Sequence, residues 1–164
     1  MSNMPGDAPA PTGIADYLAE NGSITYSNSG TSMMPLLKEG RDLFTVRAKR
    51  PGERFAVGDV VLYRRPPDKY VLHRIVEVGD GSYTILGDNC VMRETGIPES
   101  EVLGVMTGYV RRGVAHSVTD PVYVRYTAGI LKNEKKRVKL LKLRARIRSA
   151  GAKVLRTLTG TKRK

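Results

Sequence analysis

Between Gly22 and Tyr126 the chain is a series of short β-rich runs separated by Gly, Pro and Asp, with almost no helical periodicity. The runs are Ile24–Tyr26, Leu43–Arg47, Val60–Tyr63, Tyr70–Val78, Tyr83–Leu86, Val102–Arg111 and Val122–Tyr126. Gly58-Asp59 leads into one run, Pro66-Pro67-Asp68 separates it from the next, and Gly79-Asp80-Gly81 makes a hairpin-type connection to a third. Tight connections of this kind make a meander, so the expected fold class is mainly β: a small coiled antiparallel sheet. Outside the sheet, Ile14–Asn21 reads as two helical turns ended by Gly22.

The C-terminal part is of a different kind. From Ala128 onward the chain is rich in Lys, Arg, Leu, Ala and Val, which favour helix. Leu140, Leu143, Ile147, Ala150, Val154 and Leu158 recur at three- and four-residue spacing on one stripe, and Gly151 is expected to weaken the helix in its middle. The resulting division is a flexible leader over 1–12, a β domain over 13–127 and a basic amphipathic helical tail over 128–164.

Charge follows the same division. The chain of 164 residues carries a formal net charge of +12, which suggests nucleic acid until the charge is located. Residues 132–164 hold 14 of the 28 basic residues against Glu134 alone, and the preceding chain is close to neutral. The tail therefore has three readings: contact with an anionic membrane, binding of nucleic acid or an acidic partner, or a solvated helix docked on the β domain. No aromatic residue follows Tyr126, which makes nucleic acid the weaker partner.

One cysteine, Cys90, excludes an internal disulfide framework, and two histidines make a histidine-rich metal site improbable. No run approaches the ~18 apolar residues of a membrane span. Met1–Gly13 has neither the basic start nor the apolar core of a secretion signal. The expected location is cytoplasmic, with the tail available for peripheral contact with a membrane.

Three blocks carry chemistry. Ser32 lies in Ser29-Gly30-Thr31-Ser32-Met33-Met34-Pro35, His73 in Leu72-His73-Arg74, and Asp88 in Leu86-Gly87-Asp88-Asn89. A serine hydroxyl becomes a nucleophile when a neighbouring base removes its proton, and a neutral imidazole can do so without the desolvation that a lysine needs. His116 lies outside these blocks and reads as a surface residue. Cys90 follows the third block and reads as a half-buried thiol.

Taken in order, Gly30-Thr31-Ser32-Met33-Met34-Pro35, Gly58-Asp59-Val60-Val61, His73-Arg74 and Gly87-Asp88-Asn89 resemble the successive motifs of the signal peptidase I and SOS-repressor superfamily of serine peptidases. The resemblance spans about residues 22–113, and a histidine at position 73 is similar to the endoplasmic-reticulum and archaeal branch. It implies a serine endopeptidase working through a Ser32–His73 acyl-enzyme mechanism on a peptide or precursor protein, with no cofactor and no metal. The orienting acid is expected to be Asp88, inside the matching motif, with Glu94 as the alternative because that branch places an acid a few residues further on. For the oxyanion, the resemblance implies the Ser32 backbone N–H, with Thr31 or Ser29 in place of a hydroxyl that many bacterial members carry where this chain has Gly30.

Family members are typically fixed by a transmembrane helix, so this chain resembles a compact cytosolic form. Two competing functions are a self-cleaving regulator, which would carry a DNA-binding segment ahead of the sheet, and a catalytically silent fold acting as a basic adaptor at a membrane or nucleic acid.

Overall fold

The computed structural model describes residues 13–67 and 69–160, the last ten by backbone alone. The expected leader over 1–12 lies outside the described residues. Helix α1, Ile14–Asn21, is closed by the Gly22 N–H on the Leu18 carbonyl, as the sequence indicates. Eight strands follow: β1 Ser23–Ser27, β2 Leu43–Ala48, β3 Val60–Arg65, β4 Lys69–Val78, β5 Ser82–Leu86, β6 Glu94–Pro98, β7 Val102–Arg111 and β8 Val114–Ser117. Helices α2, Pro121–Lys132, and α3, Glu134–Gly160, end the described chain.

The strands form one curled antiparallel sheet in the order β1-β2-β7-β3-β4-β5-β6, with β8 added beside β7. The architecture is the mainly β one expected, with β3 to β6 as a meander. Strand alternation divides the core in two. Val60 and Leu62 of β3 join Leu72, Met106 and Leu18 on one face, while Val61 and Tyr63 join Ile75, Tyr83 and Ile85 on the other. Because β3 is buried on both faces, four consecutive apolar side chains, Val60 to Tyr63, are accommodated without exposure.

Three parts depart from the sequence reading. The run Val122–Tyr126 is not a strand but the first half of α2. Pro121 occupies the first helical turn, where its missing N–H costs nothing and its fixed φ favours helix. The spacing of Tyr123, Tyr126 and Thr127 then sets their side chains on one face, against the sheet. As a result, the expected boundary between residues 127 and 128 falls inside a helix. Second, β6 and β8 are additional short strands. β6 contains Gly96 and Pro98, tolerated because it is an outer strand, and β8 returns through Arg112 and Gly113, both at positive φ as a two-residue hairpin turn requires. Third, α3 runs unbroken through Gly151 to Gly160. Val154 and Leu158 of the tail stripe lie outside the described side chains. Among the described residues, no helix is long and apolar enough to cross a membrane.

One buried ion pair joins the helices to the sheet. Arg74 and Asp88 are fully excluded from solvent and bond in two parallel contacts, Nε to Oδ1 at 2.8 Å and Nη2 to Oδ2 at 2.8 Å. Arg74 Nη1 also donates to the Gly58 carbonyl at 2.7 Å and to Thr127 Oγ1 at 3.0 Å. The Tyr126 hydroxyl donates to Asp88 Oδ2 at 2.9 Å, and the guanidinium lies 5.8 Å from the ring centroids of both Tyr123 and Tyr126. Removing one partner of such a pair leaves an uncompensated buried charge, at a cost of about 3–5 kcal/mol. Arg74→Met should therefore lower the unfolding free energy by about that amount, measured as an earlier midpoint in urea with both helical and sheet signals lost together.

Candidate active site

The loop between β1 and β2 carries Ser32. Gly30 at φ 84 turns the chain in a left-handed conformation that other residues resist, and Met33, Leu36 and Leu37 then bury themselves in the core. The hydroxyl is consequently carried on a short turn whose apolar side is anchored. Ser32 is half-buried and lines a cleft of about 840 Å³.

His73 comes from the middle of β4, opposite Val61 in the register with β3. Alternation along the strand sends His73 and Arg74 to opposite faces, so adjacent residues serve the cleft and the buried ion pair separately. His73 is only 4% exposed. Burial pushes its pKa below the usual 6.5; the neighbouring Glu94 charge opposes that shift and the Arg65 charge assists it. The neutral ring is therefore the form favoured near neutral pH.

The carboxylate that meets the imidazole is Glu94, the alternative of the sequence reading, and not the favoured Asp88. Glu94 Oε1 lies 3.1 Å from His73 Nδ1. Asp88, by contrast, is occupied by Arg74 and Tyr126. The Gly87-Asp88-Asn89 motif thus carries a structural acid, and the residue facing the imidazole lies six positions later, at the start of β6 opposite Ile85.

Two residues that the sequence did not single out hold Glu94. Arg65 Nε donates to Glu94 Oε2 at 2.8 Å and Arg65 Nη2 bonds Oε1, while the Tyr63 hydroxyl donates to Oε2 at 2.8 Å. Burial resists ionisation of Glu94, but the donors from Arg65 and Tyr63 outweigh it and hold the carboxyl below its usual range. Tyr63 and Arg65 alternate on β3, which only the pairing of strands could relate to residue 94. The Arg65 charge opposes the effect of Glu94 on the basicity of the ring.

The glycine before Asp88 is required by packing. A Cβ on Gly87 would lie 2.9 Å from His73 Nε2, 2.9 Å from the Ser32 carbonyl oxygen and 2.7 Å from Cys90 Sγ. Three groups named by the sequence therefore crowd the space that a side chain on Gly87 would take. The Asn89 N–H donates to the Ser32 carbonyl at 2.7 Å and Asn89 Nδ2 donates to the Thr31 carbonyl at 3.1 Å, fastening the two loops together. Arg137 of α3 bonds the carbonyls of Gly87 and Asp88 from outside, and Arg93 pairs with Glu134 at 2.8 Å. The tail helix is thus built against the loop that carries the site.

The remaining expected residues are easily placed. Ser29 lines the cleft, whereas Thr31 lies outside its lining and is exposed. Cys90 lines the cleft half-buried, and burial raises its thiol pKa, which disfavours thiolate. His116 stacks on Tyr109 at 4.9 Å, away from the cleft. Among the described residues, no three His, Cys, Asp or Glu side chains gather as metal ligands.

Compared with known proteins, the chain matches no family model, no curated protein and no solved structure.

Two substitutions test that geometry. Gly87→Ala should displace the imidazole and perturb the His73 ring resonances in NMR spectra while leaving those of His116 in place. Glu94→Gln should lower the His73 titration midpoint below that of the parent protein, because the neighbouring negative charge that favours imidazolium is lost.

Proposed function

We propose that this chain is a serine-type endopeptidase acting on a peptide or precursor protein. The observation that carries the reading is the convergence of Ser32, His73 and Glu94 on one cleft, with Nδ1 of the imidazole on Glu94 and with Nε2 and the Ser32 carbonyl both close to Gly87. With Nδ1–H donated to the carboxylate, Nε2 carries the free lone pair of the neutral ring and is the atom available to take the Ser32 proton.

In the first step Nε2 takes the Ser32 hydroxyl proton as Oγ bonds to the scissile carbonyl carbon, giving a tetrahedral oxyanion and an imidazolium paired with Glu94. The imidazolium then gives its proton to the leaving amine as the C–N bond breaks, leaving an acyl-serine. Water attacks the ester with His73 again as base, and the acid product leaves with Ser32 restored. The Ser32 N–H is one donor to the oxyanion, and the Ser29 hydroxyl, which lines the cleft, is the second.

The form of the cleft suits an extended peptide. Its floor is apolar, with Ile24, Phe44, Leu62 and Leu72, and β1 borders it as an outer strand whose only neighbour among the described strands is β2. An incoming strand can bond the free side of β1 while apolar side chains of modest size enter the floor.

Intact-mass analysis after treatment with a serine-reactive phosphonate tests the assignment. One adduct is expected, absent in Ser32→Ala and in His73→Ala; labelling that survives both substitutions, or no labelling at all, would transfer the chain to the silent-adaptor reading. With a cleavable peptide, either substitution should reduce turnover by about 10⁴-fold or more. The acid limb of the pH–rate profile should fall below pH 6.5, because burial depresses the His73 pKa and the base works unprotonated. Arg65→Gln removes a cation that favours the neutral ring, so that limb should move to higher pH.

A further inference from the structure

A second groove, of about 550 Å³, runs along α3. Val91, Val138 and Leu143 give it apolar lining. Lys135, Lys139, Lys142 and Arg146 also line it, at spacings of four, three and four residues that place all four on one side of the helix. All four are exposed, and none has an ion-pair partner among the described residues. Glu134, the only acid on α3, is occupied by Arg93. The groove is therefore a strip of uncompensated positive charge over an apolar floor.

Val91 lines both this groove and the cleft that holds Ser32 and His73. A polypeptide leaving the cleft across Val91 meets the basic strip next. From Lys135 to Arg146 the helix rises about 16 Å, the span of roughly five residues of extended chain. A concave, charged strip continuous with the cleft suits a chain better than a flat bilayer. No aromatic side chain lines it to stack a nucleobase. On the peptidase reading of the cleft, we propose that the α3 groove is an exosite for an acidic segment of the substrate polypeptide, flanking the part held at Ser32. Its role is to select substrates by a charged stretch remote from the cut and to hold them by several ion pairs at once.

The test uses the full chain carrying Ser32→Ala, so that binding is measured without cleavage. Fluorescence anisotropy compares a labelled peptide of alternating Glu and Ala with the same peptide carrying Gln in place of Glu. The Glu peptide should bind at least about tenfold more tightly, with several exposed pairs each contributing roughly two- to fivefold. That preference should fade at high salt and disappear in Lys139→Glu/Lys142→Glu. Both positions are exposed on the helix surface, so circular dichroism and the urea midpoint should be unchanged.

Equal binding of the two peptides overturns the proposal, as does a Glu preference that survives the charge reversal. Stronger retention on phosphatidylglycerol vesicles than on the Glu peptide, abolished by the same reversal, assigns the strip to a lipid surface and also overturns it. The two readings fail separately. Phosphonate labelling of Ser32 without a Glu preference removes the exosite alone, and a Glu preference in a chain whose Ser32 never labels removes the assignment of the bound segment to a substrate.

Discussion

The Arg74 guanidinium is the constraint on which the arrangement depends. It is wholly buried, and its contacts reach Asp88 in the loop before β6, the Gly58 carbonyl ahead of β3, and Thr127 and Tyr123 on α2. Charge is expensive to bury, so every donor must find an acceptor, and the acceptors here come from segments far apart in sequence. Satisfying one side chain thereby fixes α2 against the sheet and holds the Gly87–Cys90 turn. The position of that turn in turn determines where the cleft can form, because Asn89 ties it to Ser32.

Adjacent residues of β4 divide the work. His73 turns to the cleft and Arg74 to the ion pair, a separation imposed by the two-residue period of a strand. Two carboxylates are likewise separated by environment. Asp88 meets a buried guanidinium in two parallel bonds, and Glu94 meets Arg65 and Tyr63 while leaving a contact for the imidazole. Their roles could be exchanged in a motif-based reading because both lie close to the Gly-Asp-Asn turn, but only one faces His73. Burial, assisted by the Arg65 charge, is what lets His73 keep a carboxylate partner and still favour its neutral form.

The tail belongs to this architecture rather than being attached to it. Arg137 bonds the carbonyls of the Gly87–Asp88 turn, Glu134 pairs with Arg93, and the boundary suggested by composition passes through α2. Composition registered the increase in basic residues correctly, but a change in charge is not a break in packing. The apolar residues Leu140 and Ile147 remain exposed, while the side of α3 turned to the 91–93 loop carries the basic strip together with the exposed Leu143.

The sequence alone determined six of the eight strands, the first helix, the turns between β3, β4 and β5, and the serine and histidine of the cleft, because these depend on local periodicity, turn chemistry and the few side chains able to act as nucleophile and base. It could not reveal Tyr63, Arg65 or Arg137, whose importance comes from partners 31, 29 and about 49 residues away in the chain. Nor could it choose between Asp88 and Glu94, or find the helix in Val122–Tyr126, where β-favouring side chains occupy a helical face next to Pro121. Those outcomes were decided by the tertiary structure, since a buried charge or hydroxyl takes the partner that folding brings within reach, and that distance is not written in local sequence.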